Sequence, residues 1–507
     1  MSPGQTRLLR DWEVEAELGS VVGNPDRIQE VRELVERGET VILLSDMYLP
    51  RPVIDTLLAS VDPLLADVPL YLSSEQGVQK STGRLYLRAY QDLEYDFAEW
   101  IHTGDNQHAD VACAESLGIT ARHVPVAGLT SRGEHLVRYS RSYDGYLTAG
   151  LLAQRAESRP ERAEAFAYGM VSAFIVPYVS WVIDDALRRG FTRLCFISRD
   201  GHHMVAVADE IIAARGLNLT TQYLYGSRRA WRLASQVDEI DADFFSEFGL
   251  FGSATTISAM LDVAHLDASE AARLVPELTP LMTHGELTAD EVRSARQLLG
   301  ASPSFRDHVL RTAAELRGVA VDYLRQELDR QEHTAFVEYW GRGYTQDCLT
   351  RLLAAVHGEP VECSMYYARC IYPSQGLSRR HQFSITGHPD LVAVEALFAN
   401  TPYETVLGYE RHDDRVTAVT EPRDHDVELF RAMSEELPRF AREYALLPLV
   451  DRHRMNVDLF QSALQHLRSR PQHPFYLRFL APLKDAVGLA GELREFAPAV
   501  TRSSWRS

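Results

Sequence analysis

Three stretches, each placed where an apolar run ends, carry residue types suited to an anionic sugar phosphate. The fullest is the apolar run Ala335 to Trp340, which carries one acid, Glu338, and then breaks into Gly341-Arg342-Gly343-Tyr344-Thr345-Gln346 and a helical pattern. Glycines let backbone N–H groups come close to a ligand, and a helix that starts at such a turn points its positive end at the same spot, so a phosphate suits it. Glu338 is placed to accept hydrogen bonds from sugar hydroxyls, and Thr345 to bond the phosphate. An ordinary βα turn is the competing reading, because a lone glycine pattern is weak evidence. Two further strand ends bear on the choice. Ser198-Arg199-Asp200-Gly201 follows the run Arg193 to Ile197, and Gly226-Ser227-Arg228-Arg229 follows Thr221 to Tyr225. Arginines beside turn residues at two strand ends suit a diphosphate, since the guanidinium fork matches phosphate oxygens. Surface arginines on βα loops are the bland alternative. The candidate catalytic residues are Arg199, Asp200 and Glu338; Ser198, Gly201, Arg228, Arg229, Gly341, Arg342, Gly343, Thr345 and Gln346 are candidate substrate contacts.

A second set of chemical residues lies near the N-terminus. Ser45 ends the apolar run TVILL, Lys80 precedes a helical pattern, and Asp105 and Asp110 fall in GDNQHAD after the short run Trp100 to His102. A hydroxyl, an ammonium and two carboxylates could bind a phosphate at Ser45 and Lys80 and a magnesium ion at Asp105 and Asp110. Lys80 draws notice because Lys484 is the only other lysine in a chain that otherwise uses arginine.

The elements that must position these residues follow from periodicity. Helical spacing over Asn24 to Gly38, Pro52 to Ser60, Gly83 to Leu93 and Asp110 to Leu117 alternates with short strands at Glu39 to Leu44, Leu70 to Leu72 and Trp100 to His102, which predicts a parallel sheet with its site at the carboxyl ends of the strands. Thr130 to Arg159 reads as a polar connection. Phe166 to Ile183 is apolar but interrupted by Gly169, Ser172, Pro177 and Ser180 and closed by Asp184-Asp185, so a buried core helix is expected rather than a membrane span. Ile240 to Glu332 reads as nearly all helix, with a capping box at Thr288-Ala289-Asp290-Glu291 and a long amphipathic run from Phe305 to Leu328. From Pro389 the pattern is again mainly helical, with an aromatic-rich loop, FANTPYETVLGY, at Phe398 to Tyr409.

The whole chain bounds the chemistry. Its 507 residues suffice for two or three domains, and 45% hydrophobic with 24% charged residues is an ordinary globular composition. A formal net charge of −19 argues against nucleic acid or an anionic membrane as the main partner. Five scattered cysteines without a CxxC pair and no signal sequence suit a reduced, cytoplasmic setting.

SDMYLP and GDNQHADV, with Lys80 between them, resemble the second, third and fourth motifs of the haloacid dehalogenase-like phosphatases. That resemblance covers Asn24 to about Val126. It implies a phosphate pocket at Ser45 and Lys80 and magnesium at Asp105 and Asp110. The family's first motif, an Asp-x-Asp at the end of a leading strand that supplies the nucleophile, has no counterpart before Ser45; Asp11-Trp12-Glu13 lies in a charged helical segment. Further on, FISRDG, GSRRAW and FVEYWGRGYTQ are similar in order to the diphosphate turn, the arginine loop and the ribose-phosphate loop of phosphoribosyltransferases, with one acid, Glu338, where two are usual. Together the modules look like bacterial two-domain polysaccharide enzymes. The expected fold is therefore α/β with two Rossmann-like parallel-sheet domains and large helical insertions. Residues 1–130 form a haloacid dehalogenase-like domain without its first motif and 131–165 a helical connection. A phosphoribosyltransferase-like domain follows over 166–375 with an insertion at 240–332, and 376–507 is mainly helical. The implied activity is transfer of a 5-phosphoribosyl group from phosphoribosyl diphosphate, with magnesium, to a sugar or small-molecule hydroxyl, a separate phosphatase being a further partner. A magnesium-dependent phosphohydrolase and a non-catalytic phosphate-binding scaffold are the alternatives.

Overall fold

The computed structural model describes residues 3–21, 23–93, 95–124, 128–153, 162–245, 256–328, 332–383, 394, 397–398, 400–469, 476–480, 483–486 and 493–495. The chain divides into two compact units. The first comprises Met1–Glu134, Ser142–Ala156 and Leu447–Val450; the second comprises His135–Arg141, Glu157–Leu446 and Asp451–Ser507. The fold is mixed α/β with parallel sheets.

In the first unit, β1 (Leu43–Ser45) pairs in parallel with β2 (Leu70–Leu72), and β3 (Ile101–Gly104) pairs in parallel with β4 (Thr120–His123). Among the described residues no ladder joins β1 to β3, so each keeps one unpaired edge. The two ribbons still share an apolar cluster. Leu44 of β1 packs against the cluster of Tyr86, Ala114 and Ile119 that also receives Trp100 and Ala121. Asp11, Trp12 and Glu13 lie within the helix Pro3–Ser20.

The second unit is built on a five-stranded, all-parallel sheet in which the strands Ser378–Gln382, Cys363–Tyr367, Thr334–Val337, Arg193–Ile197 and Thr220–Leu224 lie side by side in that order. Its strands are β5 (Arg193–Ile197), β6 (Thr220–Leu224), β7 (Thr334–Val337), β9 (Cys363–Tyr367) and β11 (Ser378–Gln382), while β8 (Trp340–Gly341) and β10 (Arg369–Cys370) form a short parallel ribbon beyond β7 and β9. Strands covered on both faces need apolar side chains on both sides, which is why β5 reads as a continuous run. Cys195, Ile197, Phe336, Met365 and Tyr367 join the cluster formed with Tyr323 and Leu324 of the helix Pro303–Glu327 and Leu349 and Leu352 of the helix Tyr344–His357. On the alternate positions, Tyr366 meets Trp181 edge-on and donates its hydroxyl to Asp185 at 2.9 Å. Both partners belong to the helix Ala163–Arg188, which is long and apolar enough to cross a membrane by length and composition, and most of its apolar window is buried inside the unit.

The helical insertion between β6 and β7 has its own apolar core, including Met260, Leu261, Ala295, Leu299 and Phe305, and Thr288 forms the capping box that its sequence predicts. Within the C-terminal region expected to be mainly helical, the described residues include β11 and a long antiparallel hairpin, β12 (Tyr403–His412) with β13 (Arg415–Pro422), before the helices Val427–Leu446 and Arg452–Ser469. The aromatic segment expected as a loop is thus largely strand. The stretch 384–393 and the chain beyond 495 lie outside the described residues.

Candidate functional site

Strand register brings the three stretches of the second unit expected to suit an anion together. Ile197 lies opposite Leu224, and Phe196 opposite Val337, so Glu338 stands level with the last residue of β5 while Ser198 and Tyr225 follow one step on. From β5 the chain continues to β6 on one side and later to β7, β9 and β11 on the other. The strand order therefore reverses between β5 and β7, and the loops after these two strands open at that point.

Ser198 ties the first two loops. Its hydroxyl donates to the Gly226 carbonyl at 2.7 Å and accepts from the Gly226 N–H at 3.0 Å. Gly201 begins the helix Gly201–Arg215, and a Cβ there would lie 2.8 Å from the Phe196 carbonyl carbon, so only glycine lets that helix start so close to β5. In the second loop, Ser227 caps the short helix Arg228–Arg232 by accepting from the Ala230 N–H, and it donates to Val406 of the hairpin at 2.6 Å. Tyr225 is held from both sides: the Tyr323 hydroxyl accepts from its N–H at 3.0 Å, and Tyr409 donates to its carbonyl at 2.8 Å. Tyr409 of the aromatic segment thus clamps this loop, while the Tyr403 hydroxyl hydrogen-bonds that of Tyr223.

Glu338 is a strongly perturbed acid of the site. Burial, then the Asp200 carboxylate, push its carboxyl up to about 8, against the pull of Arg228, Tyr367 and Arg380. Its carbonyl accepts from Tyr178 at 2.6 Å, and the Asp200 carboxylate accepts from the neighbouring Tyr339 N–H at 3.3 Å. Gly341 sits over the acid, since a Cβ there would come within 3.3 Å of a Glu338 carboxylate oxygen. Gly343 takes φ +93 and caps the helix Tyr344–His357; a side chain there would run into the Arg380 guanidinium. Arg342 and Thr345 are half-buried on this loop.

Two expected contacts are directed elsewhere. Gln346 is fully buried: its amide donates to the Cys363 and Arg379 carbonyls, both at 2.8 Å, and its oxygen accepts from Arg380 at 3.2 Å. It holds the loop to the sheet and does not face a ligand. Arg229 points toward Asp262 of the insertion at 3.6 Å, while Arg228 is the arginine whose charge reaches Glu338. Sequence reasoning missed Tyr178, Arg380 and Asp241. Asp241, at the entry to the insertion, accepts from the Tyr344 hydroxyl at 3.0 Å and from Arg351 at 2.8 Å. No local pattern marks them, because each acts across long sequence separations.

In the first unit, the ends of β1 and β3 are joined by Lys80. Its ammonium lies 2.5 Å from the buried Asp110 carboxylate, and the Asp46 carboxylate accepts from the Lys80 and Ser81 N–H groups at 2.8 and 3.3 Å. Ser45 is half-buried beside Asp46. Asp110 also bonds His102 at 3.0 Å and accepts from the Asn106 N–H at 2.9 Å. Burial alone would raise its carboxyl, but the hydrogen bonds from Lys80, His102 and Asn106 outweigh it and hold Asp110 down at about 2. Burial keeps His102 below the usual imidazole range. Asp105 is exposed, and its carbonyl meets His123 at 2.9 Å.

These surroundings decide how well magnesium fits. No group of three or more His, Cys, Asp or Glu is placed to hold a metal ion among the described residues. At Asp110 a cation would have to displace Lys80 and His102, so the expected pair Asp105 and Asp110 fits poorly. Asp200 and Glu338 are two carboxylates close enough for the charge of one to act on the other, and magnesium takes one or two carboxylates and completes its shell with water and phosphate oxygens. Comparison of the chain with protein-family models and with curated proteins found no match.

Proposed function

We propose that the second unit is a Rossmann-like, phosphoribosyltransferase-like domain that transfers a 5-phosphoribosyl group from phosphoribosyl diphosphate to a sugar or small-molecule hydroxyl. The first unit is read as a Rossmann-like, haloacid dehalogenase-like module without its nucleophile. The observation that carries the reading is the convergence of three anion-suited loops at the reversal point of a parallel sheet, where open α/β sheets bind ligands.

In this reading the acceptor oxygen bonds to the ribosyl C1, the C1–O bond to diphosphate breaks with its electron pair leaving on diphosphate, and the acceptor proton passes to Asp200. Arg199 and Arg228 face the departing diphosphate and stabilise its growing charge. The loop Gly341 to Thr345 receives the 5-phosphate at the start of its helix, and Glu338 binds ribose hydroxyls. Asp200 and Glu338 would hold magnesium, which supplies positive charge against the leaving group. The product keeps its 5-phosphate, so a separate phosphatase is the expected next partner.

Titration calorimetry of phosphoribosyl diphosphate with magnesium tests this. Binding weakened by Arg199→Ala and Glu338→Ala supports it; no heat at millimolar ligand, or binding that neither substitution changes, overturns it. The first unit should hydrolyse small phosphate esters only at background, since losing a nucleophile can cost on the order of 10⁶ in turnover. Hydrolysis at roughly 1 per second, abolished by Asp105→Asn, would favour the phosphohydrolase instead.

A further inference from the structure

We propose that Arg380, on the outermost strand β11, is a positioning residue that sets the shape of the loop Gly341 to Gln346 without touching a ligand. The inference rests on the reading of that loop as the 5-phosphate cradle, and it concerns a residue outside the three loops. The Arg380 side chain is 1% exposed. Its Nε donates to the Gln346 side-chain oxygen at 3.2 Å, one terminal nitrogen donates to the Pro373 and Tyr372 carbonyls at 2.6 and 3.3 Å, and the other reaches both Asp347 oxygens at 2.7 Å and the Gly343 carbonyl at 3.1 Å. A guanidinium has five N–H groups in a fixed fork, and every nitrogen here already has an acceptor. Arg380 therefore has no donor to offer a phosphate.

What it fixes is the turn itself. Gly343 is the αL residue that ends the turn, and Asp347 lies in the first turn of the helix Tyr344–His357. One guanidinium grips both, and Gln346 between them is anchored to the carbonyls of Cys363 and Arg379. The direction of the loop amides and of the helix start is thus set from β11, two strands away from β7. Lysine cannot reproduce this, because a single ammonium on a flexible stem cannot satisfy a fork of acceptors.

The test uses the full chain and two separate probes, ribose 5-phosphate for this loop and inorganic diphosphate with magnesium for the arginine loops after β5 and β6. Wild type should bind both. Arg380→Lys and Asp347→Asn should weaken ribose 5-phosphate about tenfold or more while diphosphate affinity stays within about twofold, because a bond to a charged group is lost only on one side of the site. Arg380→Met should show the same split between the two probes; if it fails to fold, the two conservative variants carry the test alone. Wild type that binds neither probe sinks the proposed function. Wild type that binds both, with variants that weaken both equally or neither, leaves that function standing and overturns the role of Arg380.

Discussion

Glu338 gives the site a pH signature of known sign. Its folded carboxyl is raised from 4.5 to about 8, so the fold favours the protonated acid. Its contribution to stability is present below the ordinary carboxylate range and is lost as pH rises toward about 8. Thermal unfolding between pH 5 and 8.5 should show a loss for wild type that Glu338→Gln reduces; equal slopes for both proteins would contradict the assignment. Asp110 behaves in the opposite way. Held near 2, it contributes stability above its ordinary value of 3.8 that is lost as pH falls through about 2. Lys80→Met leaves that carboxylate buried without its cation, a change that typically costs roughly 3–5 kcal/mol. Denaturant unfolding should show that loss, and a change under about 1 kcal/mol would place Lys80 among weakly coupled surface pairs.

At the scale of elements, close approaches of helix to strand can be tested at single glycines. Gly201→Ala sets a Cβ against the Phe196 backbone, which cannot swing aside as a side chain can, so about 1–3 kcal/mol of destabilisation is expected together with weaker diphosphate binding. Gly318→Ala is the control: it lies inside the helix Pro303–Glu327 with nothing within 4 Å of the new Cβ, and should stabilise by about 0.5–1 kcal/mol. Calorimetric melting of both variants checks the pair. The same elements show what the sequence could disclose. β5 and the helix Pro303–Glu327 were legible because apolar runs and helical spacing are local signals. β9, β11 and the hairpin were not. β9 and β11 mix apolar with polar residues, since Ser364 and Arg380 are buried by partners on other elements, and Tyr403 and Tyr409 gain their strand pairing only beside β13. In the site, turn chemistry disclosed the loops and the acid Glu338, whereas Arg380, Tyr178 and Asp241 depend on contacts no window of sequence contains. Gln346 sits inside the right motif, yet its neighbours direct it into the core.

At the scale of the whole molecule, the charged groups sort by unit. The N-terminal unit commits its one lysine, half-buried Lys80, to Asp110, and the second unit keeps two carboxylates and two arginine-bearing loops around one reversal point. Its large helical insertion is not a passive appendage, because Asp241 at its entry grips Tyr344 and Arg351 on the very helix that begins at the loop glycines. If a donor molecule stiffens that helix start, Asp241 carries the change into the insertion, and amide hydrogen exchange over Ile257–Val263 should slow when phosphoribosyl diphosphate is added, an effect that Asp241→Asn removes. Coupling of this kind obeys a symmetry that no mechanism can evade. Under the proposed reaction, a compound that settles against the insertion changes the affinity for phosphoribosyl diphosphate by the same factor by which that donor changes its own, so an acceptor would show itself before any transfer as a molecule that shifts the dissociation constant of phosphoribosyl diphosphate.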